Sequence, residues 1–273
     1  MNKKMKNYKI FDCITFFREN RVANMRFEIL SNVVDKFVIC ESRFDHKGNK
    51  KDLNFKLLNR KFSHKIIYLV KKDPFPKNTN EWQKQAIQRE FIFNGIQKAN
   101  PDDFIMFSDP DEIPNPKFLS DILLTKKYGI FLQKHYVYKI NLSNPFEEPW
   151  EGTRICKKKD LISIDDLRQK VLSKNIKKFW RIDKERNIQL IYNGGWHFNN
   201  LFDAKEISIK LKTFAHNEFS SPKFSSVRLI QQKIDNKIDL FERGHVYKKV
   251  LLDNSFPEYL IKNKNKFKDF ILT

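Results

Sequence analysis

Three carboxylates crowd together between Phe107 and Pro114, where the chain reads FSDPDEIP. Asp109, Asp111 and Glu112 follow directly on the apolar run Asp103 to Phe107 (DFIMF), the pattern of a buried strand. Like charges this close repel unless a proton or a cation stands between them, and a hard divalent ion is the economical partner for oxygen ligands. A solvated acidic turn closed by Pro114 is the other reading, and the buried strand ahead of it weighs toward metal. An Asp pair around a proline also suits transfer from a nucleotide sugar, in which the ion bridges carboxylate and diphosphate.

Three further constellations could take part. Tyr192 to Asn200 (YNGGWHFNN) sets the only Gly-Gly of a glycine-poor chain before Trp196 and His197, so the backbone can approach closely and an imidazole stands beside a large ring. Such a histidine is either a satisfied structural residue or a ligand. Lys210 to Phe219 (KLKTFAHNEF) puts Lys210, Phe214 and Glu218 at spacing four, along one side of a helix or on its solvated face. Glu41 to Gly48 (ESRFDHKG) follows the strand-like KFVIC, and Glu41 at a strand end could hold a ribose or a base; a solvated loop explains it equally well.

These groups need a scaffold. Tyr8 to Phe17, Lys36 to Cys40, Lys65 to Val70 and Asp103 to Phe107 have the composition of strands, with helical periodicity between them at Val22 to Val34 and Glu81 to Ala99. In the latter, Trp82, Ala86, Phe93 and Ile96 share a face and Asn80 is available as the cap. A β-α-β-α order predicts a mostly parallel central sheet covered by helices, which would present FSDPDEIP at its carboxyl edge, where ligands of open α/β folds bind. A helix is expected at about 117–125 and a long strand from Gly129 to Ile140. Residues 145–186, with Pro145, Pro149 and basic runs at Lys157 to Lys159 and Lys174 to Arg181, suggest a variable insertion on the rim. A strand at Ile188 to Tyr192 and helices at Ala204 to Phe219, Val227 to Ile238 and after Pro257 complete the expectation. No linker divides the 273 residues, so one domain is expected, with a nucleotide-binding half at about 8–114 and an acceptor half at about 115–273.

Composition excludes several classes. With 40% hydrophobic and 14% aromatic residues the chain can bury a large core, so it is not a disordered polycation. Seven glycines and the absence of GxGxxG, Walker A and GxSxG patterns remove glycine-built phosphate loops and the nucleophile elbow. Cys13, Cys40 and Cys156 lie far apart, as reduced core thiols would. The apolar stretch after the basic start is broken by Asp12 and ends at Arg18, too short for a signal or a span, which predicts a cytoplasmic protein, soluble or peripheral to a membrane. Fifty-three Lys and Arg against 33 Asp and Glu leave +20, a charge that suits nucleic acid, an anionic membrane surface or a phosphorylated substrate.

Phe11 to Asn20 (FDCITFFREN), Val33 to Ser42 (VVDKFVICES), Arg89 to Pro114 and Gly194 to Phe198 (GGWHF) resemble, in order, the successive signatures of glycosyltransferase family 17, which includes the transferases that add a bisecting GlcNAc. Phe256 to Ile271 resembles that family's closing Pro-x-Tyr-Leu segment. The resemblance implies a GT-A type nucleotide-diphosphosugar fold, a UDP-GlcNAc donor, Mn²⁺ or Mg²⁺, a glycan, glycoprotein or glycolipid acceptor, and inversion at the anomeric carbon. It places the acidic motif on Asp109, Asp111 and Glu112 and the Gly-Trp-His motif on Gly195, Trp196 and His197. On this reading Asp109 and Asp111 hold the metal with His197, Lys210 or Arg89 assists the diphosphate, Glu41 and Trp196 serve the donor, and a carboxylate takes the acceptor proton. A carboxylate beside a cation stays ionised and accepts protons poorly, which favours Glu218 over Glu112 as that base. The rivals are a metal-dependent nucleic-acid binder or nuclease and an inactive lectin-like scaffold.

Overall fold

A computed structural model describes residues 6–177, 180–213 and 217–273. Its strands are β1 (Ile10–Phe16), β2 (Lys36–Ser42), β3 (Ile66–Lys71), β4 (Phe104–Ser108), β5 (Glu112–Pro114), β6 (Tyr128–Val137), β7 (Leu142–Ser143), β8 (Trp150–Lys157), β9 (Ile188–Ile191), β10 (Gly195–Asn199) and β11 (Lys248–Lys249). The α-helices are α1 (Asn20–Leu30), α2 (Glu81–Glu90), α3 (Ile164–Gln169), α4 (Ala204–Thr213), α5 (Pro222–Ser225), α6 (Val227–Asp235) and α7 (Glu258–Lys262). The sheet runs β3-β2-β1-β4-β8-β6-β7-β11, and its first four strands are parallel. The sequence-derived expectation of an α/β fold with a mostly parallel central sheet holds.

Alternation along β1 divides the core. Ile10, Ile14 and Phe16 face one layer with Phe27 and Leu30 of α1, whereas Phe11 and Cys13 face the other with Ile92 and Ile96. Each such side chain contributes about 1.5–3 kcal/mol on burial. All three cysteines are buried free thiols. Asn80 caps α2 through a reciprocal capping box with Gln83. No helix among the described residues is long and apolar enough to cross a membrane.

Two charges interrupt this apolar pattern together. Asp12 of β1 and Arg26 of α1 are 1% and 0% exposed and pair through Arg26 Nε to Asp12 Oδ2 at 2.6 Å. Arg26 also donates to Ser108 Oγ at 2.8 Å and to the Glu112 carbonyl, so α1 grips the corner between β4 and β5.

Several expected elements differ. The helix at 117–125 is only a 3₁₀ turn, Pro116–Phe118. The chain there must return from Pro114, whose β10 partner Gly195 adjoins the mate of Lys134, to the start of β6 at Tyr128. That is about 20 Å along six strand residues, whereas nine helical residues would span only about 13 Å. The helix from Glu81 gives way after Glu90 to a 3₁₀ turn, Phe91–Gly95, where a Cβ on Gly95 would stand 2.5 Å from Val38 Cγ1. α4 is described as far as Thr213, residues 214–216 and with them Phe214 lie outside the described residues, and Glu218 belongs to a 3₁₀ turn, Asn217–Phe219. The largest correction concerns 145–186. Its β8 is no rim insertion but a central strand between β4 and β6. Its apolar alternation is masked because Thr153 and Arg154 are buried polar residues, Thr153 Oγ1 lying 2.7 Å from Ser108 Oγ.

Candidate active site

The carboxyl ends of β1, β2 and β4 open on a cleft of about 400 Å³. One wall carries Thr15 at the end of β1 and Phe17 after it, Phe44 and His46 after β2, and Gln88 of α2. Asp109, Pro110 and Asp111 lie between the walls. The opposite wall is built from the second half of the chain and includes Glu147, Trp150, His197, Lys210, Phe241 and Arg243.

The acidic corner is a tight turn closed on itself. Glu112 N donates to the Asp109 carbonyl and Asp109 N to Glu112 Oε2, both at 3.0 Å. Glu112 is fully buried and its Oε1 accepts from Trp150 Nε1 at 2.7 Å and from Arg168 Nη2 at 3.0 Å. The same Arg168 nitrogen donates to Asp109 Oδ2 at 2.6 Å. Burial pulls the Asp109 carboxyl up, but the guanidinium groups of Arg168 and Arg89 outweigh it and hold the group below its ordinary range.

Asp111 turns to the other side. His197 Nε2 lies 3.4 Å from its Oδ1 and Lys210 Nζ 3.8 Å from its Oδ2. Here too burial pulls upward, and His197 and Lys210 prevail, holding the carboxyl well below the usual range. His197 is placed by β10, which pairs with β5 at Glu112 and with β6 at His135. Gly195 makes that approach possible: its φ is +139° and a Cβ would sit 2.1 Å from the Ile113 carbonyl oxygen. The His197 ring stacks against Trp150 and His135, each centroid 4.5 Å away. His135 Nδ1 lies 3.3 Å from Glu147 Oε2, and burial, then His197, lower its pKa to about 2, so the ring is neutral.

The donor set fits a hard divalent ion of the kind that takes one or two protein carboxylates and completes its shell with phosphate oxygens and water. Asp109 and Asp111 share the cleft, and His197 Nδ1 is buried without a hydrogen-bond partner among the described residues. No group of three or more His, Cys, Asp or Glu among the described residues forms a ready cage, so a set of Asp109, Asp111 and His197 is not assembled as one.

Of the residues singled out from sequence, Asp109, Asp111, His197 and Lys210 meet at the cleft and Glu112 braces the turn behind them. The others stand elsewhere. Glu41 is fully buried, its oxygens accepting from Lys51 Nζ, Tyr68 Oη and the amides of Asn54 and Phe55. Arg89 is buried against Asp165 at 2.7 Å. Trp196 packs in the core and donates to the Ser255 carbonyl. Glu218 is exposed and does not line the cleft, although its neighbour Phe219 does. Sequence reasoning missed Arg26, Glu147, Trp150 and Arg168. Arg26 had a signal, an opposite charge to Asp12 with both set in apolar runs; the other three lie in the stretch whose strand was hidden.

The model of the family described as glycosyltransferase family 17 matches residues 1–158, and the chain belongs to that family. The quoted segments up to Pro114 fall inside the match; Gly194 to Phe198 and Phe256 to Ile271 lie beyond it. The beta-1,4-mannosyl-glycoprotein 4-beta-N-acetylglucosaminyltransferases of Rattus norvegicus and Homo sapiens are each 32% identical to it over 117 residues, covering 39% of this chain and 22% of theirs. Among solved structures, glucosyl-3-phosphoglycerate synthase from Mycobacterium tuberculosis is similar with a TM-score of 0.39 at 12% identity, over 93% of this chain and 92% of its own.

Proposed function

We propose that the chain is a metal-dependent, inverting glycosyltransferase of GT-A type that moves a sugar, GlcNAc by family likeness, from a UDP-sugar to a glycan acceptor. The observation that carries this reading is an acidic cleft in a basic protein. Glu19, Asp45, Asp109, Asp111 and Glu147 line it against Lys51, Lys210 and Arg243. A polyanion docking directly would meet five carboxylates, whereas a diphosphate accompanied by a divalent cation meets complementary charge. The nucleic-acid rival is disfavoured on the same ground.

Asp109 and Asp111 would hold Mn²⁺ or Mg²⁺, which supplies charge neutralisation to a departing diphosphate. Lys210, 3.8 Å from Asp111, adds a cation at the same place. The wall formed by Phe17, Phe44 and His46 offers aromatic surface to a nucleoside, and this role passes to it from the buried Glu41. Arg168, Trp150 and Glu112 fix the turn, which lowers the cost of ordering it on binding. A base must reach the proton that it removes. Glu147 pairs with Arg243 as Glu112 does with Arg168, but unlike the buried Glu112 and the exposed Glu218 it lines the cleft, and on that reach it is the better candidate to receive the acceptor proton as the hydroxyl attacks in a single displacement. Residues of about 8–114 serve the donor and residues of about 115–273 the acceptor.

Thermal shift with UDP-, GDP- and CMP-sugars, each with Mn²⁺ and with chelator, tests this. A ligand at about one hundred times its Kd stabilises by about 2.7 kcal/mol. The expected result is a shift specific to UDP that needs the metal. Equal shifts in chelator would sink the metal role, and a duplex-DNA shift without any nucleotide-sugar shift would replace the whole reading.

A further inference from the structure

Across α3 from the acidic cleft a second surface combines two properties seldom found together. The sequence from Lys157 to Arg186 has eleven lysines and arginines against five carboxylates, of which Arg168 is engaged at the acidic corner and Asp165 with Arg89. The same stretch exposes large apolar side chains: Ile182 is 95% exposed, Ile162 69% and Trp180 65%. An isolated exposed isoleucine needs no explanation, but here three of them, Ile162, Ile176 and Ile182, border one hollow of about 980 Å³.

Cations rim that hollow. Lys170 pairs with Asp166, Lys184 with Asp183 and the neighbouring Lys127 with Glu185, so the acids of the hollow are matched. Lys126 and Lys174, both exposed, make no ion pair among the described residues. The hollow lies beside Tyr128 at the start of β6, whereas His135 on the same strand is beside the active site. Seven strand residues separate the two by about 23 Å. Nearer by, α3 divides the two, since Leu167 and Gln169 border the hollow and Arg168 between them turns to Asp109, and no described residue lines both hollow and cleft.

From this geometry we infer that the surface around Ile162, Ile176, Trp180 and Ile182, ringed by Lys126 and Lys174, docks on an anionic lipid bilayer. A bilayer is the one partner that offers negative headgroups for the lysines and, a few ångströms deeper, hydrocarbon for the isoleucines and the tryptophan, whose ring suits the headgroup boundary. Nucleic acid would satisfy the lysines and leave the isoleucines in water. The inference stands apart from the transferase reading, since none of these residues lines the cleft.

Flotation of the full chain with vesicles of phosphatidylcholine alone and with 30% phosphatidylglycerol tests it at low and at physiological salt. The chain should float with the anionic vesicles only. Lys126→Gln and Lys174→Gln should each weaken partitioning about fivefold, the worth of one cation at a charged surface. Ile182→Ser and Trp180→Ser should weaken it about tenfold, also at high salt, where charge is screened but burial is not. All four positions are exposed, so the fold should persist, and an unchanged Tm together with unchanged metal-dependent UDP binding checks that. Failure of the chain to float would overturn the inference. So would flotation that ignores Ile182 and Trp180, because the contact would then be charge alone, or a self-association abolished by Ile182→Ser, which would assign the surface to a second copy of the chain.

Discussion

Glu41 and Asp111 stand at the carboxyl ends of two strands of one parallel array, and each begins an acidic, polar loop. The fold consumes the first and leaves the second to face the cleft. Glu41 meets Lys51, Tyr68 and two backbone amides of the loop that folds back over it, so its carboxylate is a structural anchor for residues 51–55. Among the described residues Asp111 has His197 at 3.4 Å and Lys210 at 3.8 Å, and it lines the opening. A carboxylate at a strand end is therefore a functional group only when no loop has closed on it. Position along the chain does not separate the two cases.

Substitutions sharpen this contrast. Asp111→Asn should cost the most in turnover, about a hundredfold or more, because an amide binds a hard cation poorly and several kcal/mol of charge stabilisation go with it. Its melting temperature should stay close to the parent's. Steady-state kinetics beside a melting curve decides, and near-normal turnover would remove Asp111 from the metal site.

Glu41→Gln should show the reverse. Breaking a buried, paired carboxylate costs about 3–5 kcal/mol, so the urea midpoint should fall while the kcat of the molecules still folded stays within a few-fold. A large kcat loss at unchanged stability would return Glu41 to the donor site.

His46, in the same loop as Glu41, yields a smaller, pH-dependent effect. Burial, despite the hydrogen bond that His46 Nε2 donates to Gln88 Oε1, lowers its pKa below the ordinary histidine value. As pH falls through about 6.5 the unfolded chain takes up a proton that the folded chain refuses, and stability declines by up to about 1.4 kcal/mol per pH unit. This contribution is present above pH 6.5 and lost below it. His135, also neutral in the fold, adds to the slope in the same sense. Denaturation between pH 7.5 and 5.5 should show a shallower slope for His46→Gln; an identical slope would mean that the imidazole titrates freely.

The smallest effect is expected at Glu218. Exposed and outside the cleft wall, its change to Gln should alter kcat by less than about threefold, whereas loss of a true base costs about 10²–10⁴. Glu147→Gln should suffer that larger loss with UDP affinity kept. If the two results came out interchanged, the base would be Glu218 after all.

Much of the scaffold was legible from the chain alone. Runs such as KFVIC and DFIMF announce buried strands because apolar periodicity is a local property, and Asn80 announces a helix start because its cap partner lies three residues on. The same local logic set FSDPDEIP at a strand end. It failed at β8, where the alternation expected of a strand is broken by Thr153 and Arg154, polar residues buried beside the site they support. It failed again where one element's length depends on a distance fixed by others, as between Pro114 and Tyr128.

Composition and pattern thus determined by themselves that this protein is a folded α/β chain with an acidic strand end and a basic exterior, since hydrophobic period, charge and capping are written in neighbouring residues. Only the tertiary structure decided which carboxylates remain open. Arg168 reaches Asp109 across 59 positions and Arg26 the Glu112 carbonyl across 86, and a charge is neutralised by whatever the fold brings within a few ångströms, not by what adjoins it in sequence.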